Sequence, residues 1–141
     1  PDNDNNKPSD QPEQDTNSSY VNHVLQLVNK ERAARGLKPL TLDAKASAAA
    51  QVRAAECARS FSHTRPDGRS CFTALKEGGV SYRRAGENIA YGQRTPNSVM
   101  TDWMNSSGHR ANILNSNYNS IGIGYTVING TPYWAQFFVQ K

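Results

Sequence analysis

The chain of 141 residues is 36% apolar and 20% charged, with a net charge of +4; that length suits one domain with a real core rather than two. It contains no run of about 18 apolar residues, so no membrane-spanning helix is expected in it. The basic residues are scattered, with only Arg83 and Arg84 adjacent, which predicts a solvated surface and no nucleic-acid partner.

The opening segment, PDNDNNKPSDQPEQDTNSS, holds no Val, Ile, Leu or aromatic residue, and such a composition cannot offset the entropy lost on ordering. A disordered acidic and polar tail is expected over residues 1–19, followed by one domain over residues 20–141. Asp2, Asp4, Asp10, Glu13 and Asp15 against Lys7 leave the tail at −4, so the domain carries +8. That balance suits an anionic partner such as a membrane surface or a cell-wall polymer, or simple solubility. The chain opens on Pro1 rather than Met, which a removed export signal or plain trimming would each explain.

From Tyr20 to Arg35, the apolar residues Val21, Val24, Leu25 and Val28 fall on one face of a 3.6-residue period, with His23 on the polar side. Gly36 can close that helix in a left-handed conformation. An alanine-rich helix is predicted from Asp43 to Arg59, its small side chains letting a neighbouring layer approach closely. A short helix over residues 70–76 stops near Gly78 and Gly79, and GENIAYG, from Gly86 to Gly92, reads as a strand. Thr95 and Pro96 supply the N-cap and first position of a helix running through Val99, Met100 and Trp103. Beyond it, Ile121, Ile123, Tyr125 and Val127 alternate with Gly122, Gly124 and Thr126, and Asn129-Gly130 is a strong hairpin turn. Counted back from that turn, Ile128 faces Thr131, Tyr125 faces Trp134, Gly124 faces Ala135 and Gly122 faces Phe137. Both faces of this hairpin are apolar, so helices must cover each. The fold class predicted is α+β, a three-layer α-β-α sandwich with a small central antiparallel sheet.

Three side chains in or beside loops could carry chemistry. His63 lies in FSHTRPDG. Glu87 stands at the mouth of the GENIAYG strand and needs a partner if it is buried. His109 follows Gly108 in SSGHRANIL, where glycine would let the chain turn out of the preceding helix. Two imidazoles and one carboxylate form a set that zinc accepts while keeping a fourth position for water. The same trio could act as acid and base, with Glu87 orienting a histidine. Asn88, Tyr91 and Asn112 are further candidates for such a cleft, or for satisfying buried backbone. Glu31 and Arg32 are expected to form structural pairs, and Trp103 and Trp134 to lie in the core. A bridge between Cys57 and Cys71 would close the loop that holds His63, stabilise the fold by about 3 kcal/mol and imply an oxidising compartment. Two buried free thiols are the alternative.

The stretches NKERAARGLKPL, FSHTRPDGRSCF, AGENIAYG, WMNSSGHRANIL and IGIGY, in that order, resemble the bacterial branch of the CAP superfamily. Those are the cysteine-rich secretory, antigen 5 and pathogenesis-related proteins, whose domains are also called SCP. The resemblance covers Tyr20 to Lys141. It implies an α-β-α sandwich, an extracellular or cell-surface location, and a cleft lined by two histidines and two acidic residues. In some members that cleft holds a divalent metal, so zinc or a similar ion is the implied cofactor. By motif His63 matches the first histidine, Glu87 the glutamate of the GEN motif and His109 the second histidine. The second acid has no match, because Trp103 is followed by Met104, Asn105 and Ser106. Asp102 is expected to point elsewhere on its helix.

The resemblance favours a non-catalytic module, expected to be monomeric, that binds a small molecule, lipid or cell-wall ligand through its cleft. The alternative is a metal-dependent hydrolase of peptides or cell-wall fragments, with His63 and His109 as ligands and Glu87 as ligand or general base. A cysteine nucleophile paired with a histidine is a third reading, which a disulfide would remove. G-x-S-x-G and H-E-x-x-H are both absent, so neither of those hydrolase signatures supports catalysis.

Overall fold

A computed structural model describes residues 12–141, with side chains from Thr16 onward. Of the expected polar tail, positions 1–11 lie outside the described residues. From Pro12 the chain is already helical. The elements in order are α1 (Pro12–Ala33), β1 (Thr41–Leu42), α2 (Ala44–Cys57), α3 (Thr73–Glu77), β2 (Arg84–Tyr91), α4 (Pro96–Met104), α5 (Ser107–Ile113), β3 (Ser120–Ile128) and β4 (Thr131–Gln140). Helix α1 starts before Tyr20 because a helix held by a buried stripe can extend through polar residues that carry no hydrophobic period.

The hairpin pairs as its turn requires, with Ile128 opposite Thr131, Tyr125 opposite Trp134, Gly124 opposite Ala135 and Gly122 opposite Phe137. Asn129 and Gly130 both take positive φ, 51° and 80°, the two-residue turn whose twist matches that of the strands. Strand β2 pairs antiparallel with β4, placing Glu87 opposite Phe137 and Asn88 opposite Gln136. One edge departs from the expected antiparallel sheet. Strand β1 runs parallel to β3, so the order β1-β3-β4-β2 makes a mixed sheet. Two residues are too few to display an alternation, which is why β1 left no mark in the sequence.

Both faces are covered. The core on one side joins Val24 and Val28 of α1, Val99, Met100 and Trp103 of α4 and Ile113 of α5 to Ile121, Ile123, Trp134 and Phe138 of the sheet. On the other, Ala50 and Ala54 of α2 and Leu75 of α3 pack on Phe137 and Val139. Helix α2 lies almost on the backbone of β3. A Cβ on Gly122 would stand 2.2 Å from the Ala46 carbonyl carbon, and one on Gly124 2.5 Å from that of Ala50. Trp103 and Trp134 are core residues as expected, and their indole N–H groups donate to Ile89 O and Gln93 O. Arg32 is buried and donates to the carbonyls of Lys38, Ile113 and Asn115, tying α1 to the end of α5, while Glu31 pairs with Arg35 at 2.9 Å.

The stretch after α4 corrects the sequence reading. Gly108 does not turn the chain out of a helix; it sits inside α5, and the change of direction falls at Asn105 and Ser106 between α4 and α5.

Candidate functional site

His63 is held in the loop between α2 and α3. Arg65, 6% exposed, bridges Glu56 of α2 at 2.7 Å and Glu77 of α3 at 3.0 Å, and donates to Thr73 Oγ1 at 2.9 Å. The Cys71 N–H donates to His63 O at 3.0 Å, closing the loop on itself. On β2, alternation sends Glu87 toward α2 and Asn88 toward α5. The two neighbours therefore serve opposite sides of the sheet.

Glu87 is buried and held by a residue that the motif reading did not name. Arg53 of α2, fully buried, donates from Nε to Glu87 Oε2 at 2.7 Å and from Nη2 to Oε1 at 3.3 Å. Its other contacts are Ser62 O at 2.6 Å and Glu56 Oε1 at 3.0 Å. Burial pulls the Arg53 guanidinium toward losing its proton, but the hydrogen bond and charge of Glu87 more than offset this, and Arg53 stays cationic. The sequence did hold a sign of it. The buried stripe of α2 runs Ala46, Ala49, Ala50, Arg53, Ala54, Cys57, and a cation on a buried helical face has to find a buried anion.

His63 Nδ1 lies 2.7 Å from Glu87 Oε1. An ionised carboxylate only accepts, so Nδ1 carries the ring's proton when His63 is neutral. That hydrogen bond raises the His63 pKa, outweighing the partial burial of the ring. The side chain is 60% exposed, so Nε2 is the nitrogen left for a ligand. His109 comes from the other side, on α5, where it lines a cleft of about 230 Å³ with Phe61, Tyr91, Gln93, Asp102 and Ser106. Desolvation lowers its pKa first, and the charge of His63 lowers it further.

The remaining predicted residues divide by role. Asn88 donates to His109 O at 3.2 Å and to Gln136 Oε1 at 3.1 Å, and Asn112 donates to Asn88 Oδ1 at 2.9 Å and Glu87 O at 3.3 Å. These amides bolt α5 onto β2 and so fix where His109 stands. Tyr91 is 54% exposed and meets Phe61 edge-on at 4.7 Å. Asp102 does not point away, as its helix position suggested: it accepts from Gln93 Nε2 at 2.8 Å on the cleft wall, because the cleft runs along the solvent side of α4.

Cys57 and Cys71 are free and buried, which overturns the expected disulfide. Glu87 is among the groups that raise the Cys71 pKa, and Cys57 lies on the buried face of α2. Burial pushes the Cys57 thiol up to about 11 and the Cys71 thiol up to about 12. Neutral thiols of this kind are the opposite of what a nucleophile requires.

The ligand set predicted from the sequence was His63, His109 and Glu87. Among the described residues, the donor atoms that lie within 4.8 Å of one another are those of His63, Cys71 and Glu87. Proximity is not enough to make that trio a metal site. Both Glu87 oxygens already serve Arg53 and His63, the guanidinium repels a cation, and Cys71 would have to lose a proton it holds tightly. His109 is not among these donors, and Glu87 stands behind His63 as the partner that orients its ring.

Residues 25–141 match the Cysteine-rich secretory protein family, CAP. The chain belongs to this family. The Bacillus subtilis protein YkwD is 44% identical over 126 residues, covering 88% of this chain and 48% of YkwD. The B. subtilis protein YlbC, named as a membrane protein, is 32% identical and is matched over 84% of this chain and 34% of its own length. This CAP chain therefore spans half or less of these curated relatives. An extracellular SCP-domain protein of Bacillus anthracis superposes with a TM-score of 0.85 at 26% identity, over 96% of this chain and 45% of the other. NaASP2, whose crystal structure was determined with Zn2+, shares the fold at a TM-score of 0.62 and 13% identity, over 84% of this chain and 78% of that one. Among the described residues of this CAP domain, no helix is long and apolar enough to cross a membrane.

Proposed function

We propose that this CAP domain is a secreted or cell-surface binding module, that its ligand enters between the rings of His63 and His109, and that those rings can hold a divalent metal such as zinc. The observation that carries the reading is the engagement of Glu87 at both oxygens by Arg53 and His63. A general base needs a free lone pair next to a water, and a carboxylate held this way orients its neighbour instead. Asp102, the other carboxylate on the cleft, is tied to Gln93. Exposed Phe61 and Tyr91 at the rim offer apolar surface to a small molecule, lipid or cell-wall fragment. The extracellular B. anthracis relative supports the location, and NaASP2, crystallised with Zn2+ on the same fold, supports the choice of ion.

Calorimetric zinc titration at pH 7.5 tests the site. Stoichiometric binding is expected to disappear in both His63→Ala and His109→Ala, and to weaken by about tenfold in Glu87→Gln, as for an orienting partner. Because a bound imidazole must be deprotonated, and the His63 pKa is raised, affinity should fall with acidification from a higher pH than an ordinary histidine near 6.5 would give. No heat from the intact protein would remove the metal from the proposal. Zinc-dependent turnover of peptides or cell-wall fragments that Glu87→Gln abolishes would replace binding by hydrolysis.

A further inference from the structure

A second charged surface lies away from the cleft. Two open cavities, of about 760 and 510 Å³, share the residues Gly79, Val80, Ser81 and Tyr82 as a common wall. Lys45, Arg83 and Lys141 line the first and Lys76 lines the second. The fold brings them together by design of the backbone: a Cβ on Gly79, which has a φ of 80°, would stand 3.8 Å from Lys45 Nζ, so the ammonium from α2 rests on the loop where the cavities meet. Arg83 follows that loop and is fixed at its backbone by a bond from its N–H to Gln140 O.

The arginines of the neighbouring α2–α3 loop are matched, Arg65 with Glu56 and Glu77, and Arg69 with Asp67 and Glu77. Among the described residues, Lys45, Lys76 and Arg83 take part in none of the ion pairs, and Asp43, the carboxylate in the groove, is paired with Lys141. Three exposed cations outside any ion pair thus line two cavities that share one wall, an arrangement suited to several negative charges at once. The +8 carried by the chain from Tyr20 onward adds a field of the same sign.

We infer that this strip, running from Lys76 across Lys45 to Arg83, binds an extended polyphosphate chain. Its successive charges would replace the missing counter-ions, and released small ions would drive the association. Among the described residues, Tyr82 is the only aromatic one in either cavity, so the recognition is of repeated charge rather than of stacked bases. The site is separate from the His63 and His109 cleft and does not depend on what that cleft holds.

Fluorescence anisotropy of the full chain with labelled linear polyphosphate tests the inference. Binding should survive at about 0.15 M salt and weaken about tenfold or more in Lys45→Ala/Arg83→Ala, with a shallower salt dependence, and Lys76→Ala should weaken it further. The variant Lys30→Ala/Lys38→Ala removes the same charge from the last turn of α1 and the connection that follows it, and should leave affinity within about twofold, if the strip and not net charge is responsible. All these side chains are exposed, so melting temperatures of the variants should match that of the parent. Inorganic phosphate should displace the polymer only at far higher concentration. The inference is overturned by failure of the parent to bind, by equal losses in the two charge-matched pairs, by inorganic phosphate competing as well as the polymer per phosphate, or by phosphatidylglycerol vesicles capturing the protein in preference to polyphosphate.

Discussion

At the scale of single residues the site is governed by Arg53. Removing one member of a buried ion pair leaves the other charge without compensation, so Arg53→Met is expected to cost about 3–5 kcal/mol in urea unfolding. Converting the pair together, as Arg53→Met with Glu87→Leu, should recover most of that loss; a double variant no better than the single one would mean that the pair is not the source of the cost. The two histidines should titrate apart. His63 has its pKa raised by Glu87, so its contribution to stability is complete below about 6.5 and is lost as pH rises through the folded value. His109 has its pKa lowered by desolvation and by His63, so the fold is penalised as pH falls from about 6.5 through its folded value. Proton NMR should therefore place the His63 midpoint above that of His109, and Glu87→Gln should bring them closer. Coincident midpoints in the parent protein would contradict the hydrogen bond from His63 to Glu87.

At the scale of elements, the contact between α2 and β3 is a backbone-to-backbone approach that two glycines make possible. In Gly124→Ala the new methyl would meet the Ala50 carbonyl group and the Gln51 nitrogen at 2.5 Å, atoms that no rotamer change can move. The expected destabilisation is about 3 kcal/mol in urea. Ala50→Gly should not rescue it, because the clash is with main chain; rescue by that change would show that side-chain volume is limiting. The consequence for the site is direct. Helix α2 carries Arg53, and a shift of α2 away from β3 would draw the guanidinium from Glu87 on β2. The polar layer of Asn88, Asn112 and Gln136 plays the matching part on the other face, where it seats α5 and with it His109.

At the scale of the molecule, the two cysteines report whether the sandwich is closed. Both are buried and protonated, so a thiol reagent at pH 8 should modify neither in the native protein and both after guanidinium unfolding. An intact mass two hydrogens lower, or rapid labelling of the native chain, would contradict two free interior thiols. The layers, the hairpin and its register were legible in the chain, since periods of 3.6 and 2 and the Asn129-Gly130 turn are local properties that neighbouring residues set between them. His63, Glu87 and His109 could be singled out for the same kind of reason, as ionisable side chains in short motifs beside turns. What local pattern could not decide was who meets whom. The parallel edge β1, the helical state of the Gly108 stretch, the two thiols left unbridged and the capture of Glu87 by Arg53 are not written in any local pattern. Such pairings are chosen by burial and charge compensation in three dimensions, and it was the packing of α2 across β3 and β4 that brought Arg53 to Glu87 and turned a free acid of the motif into a partnered one.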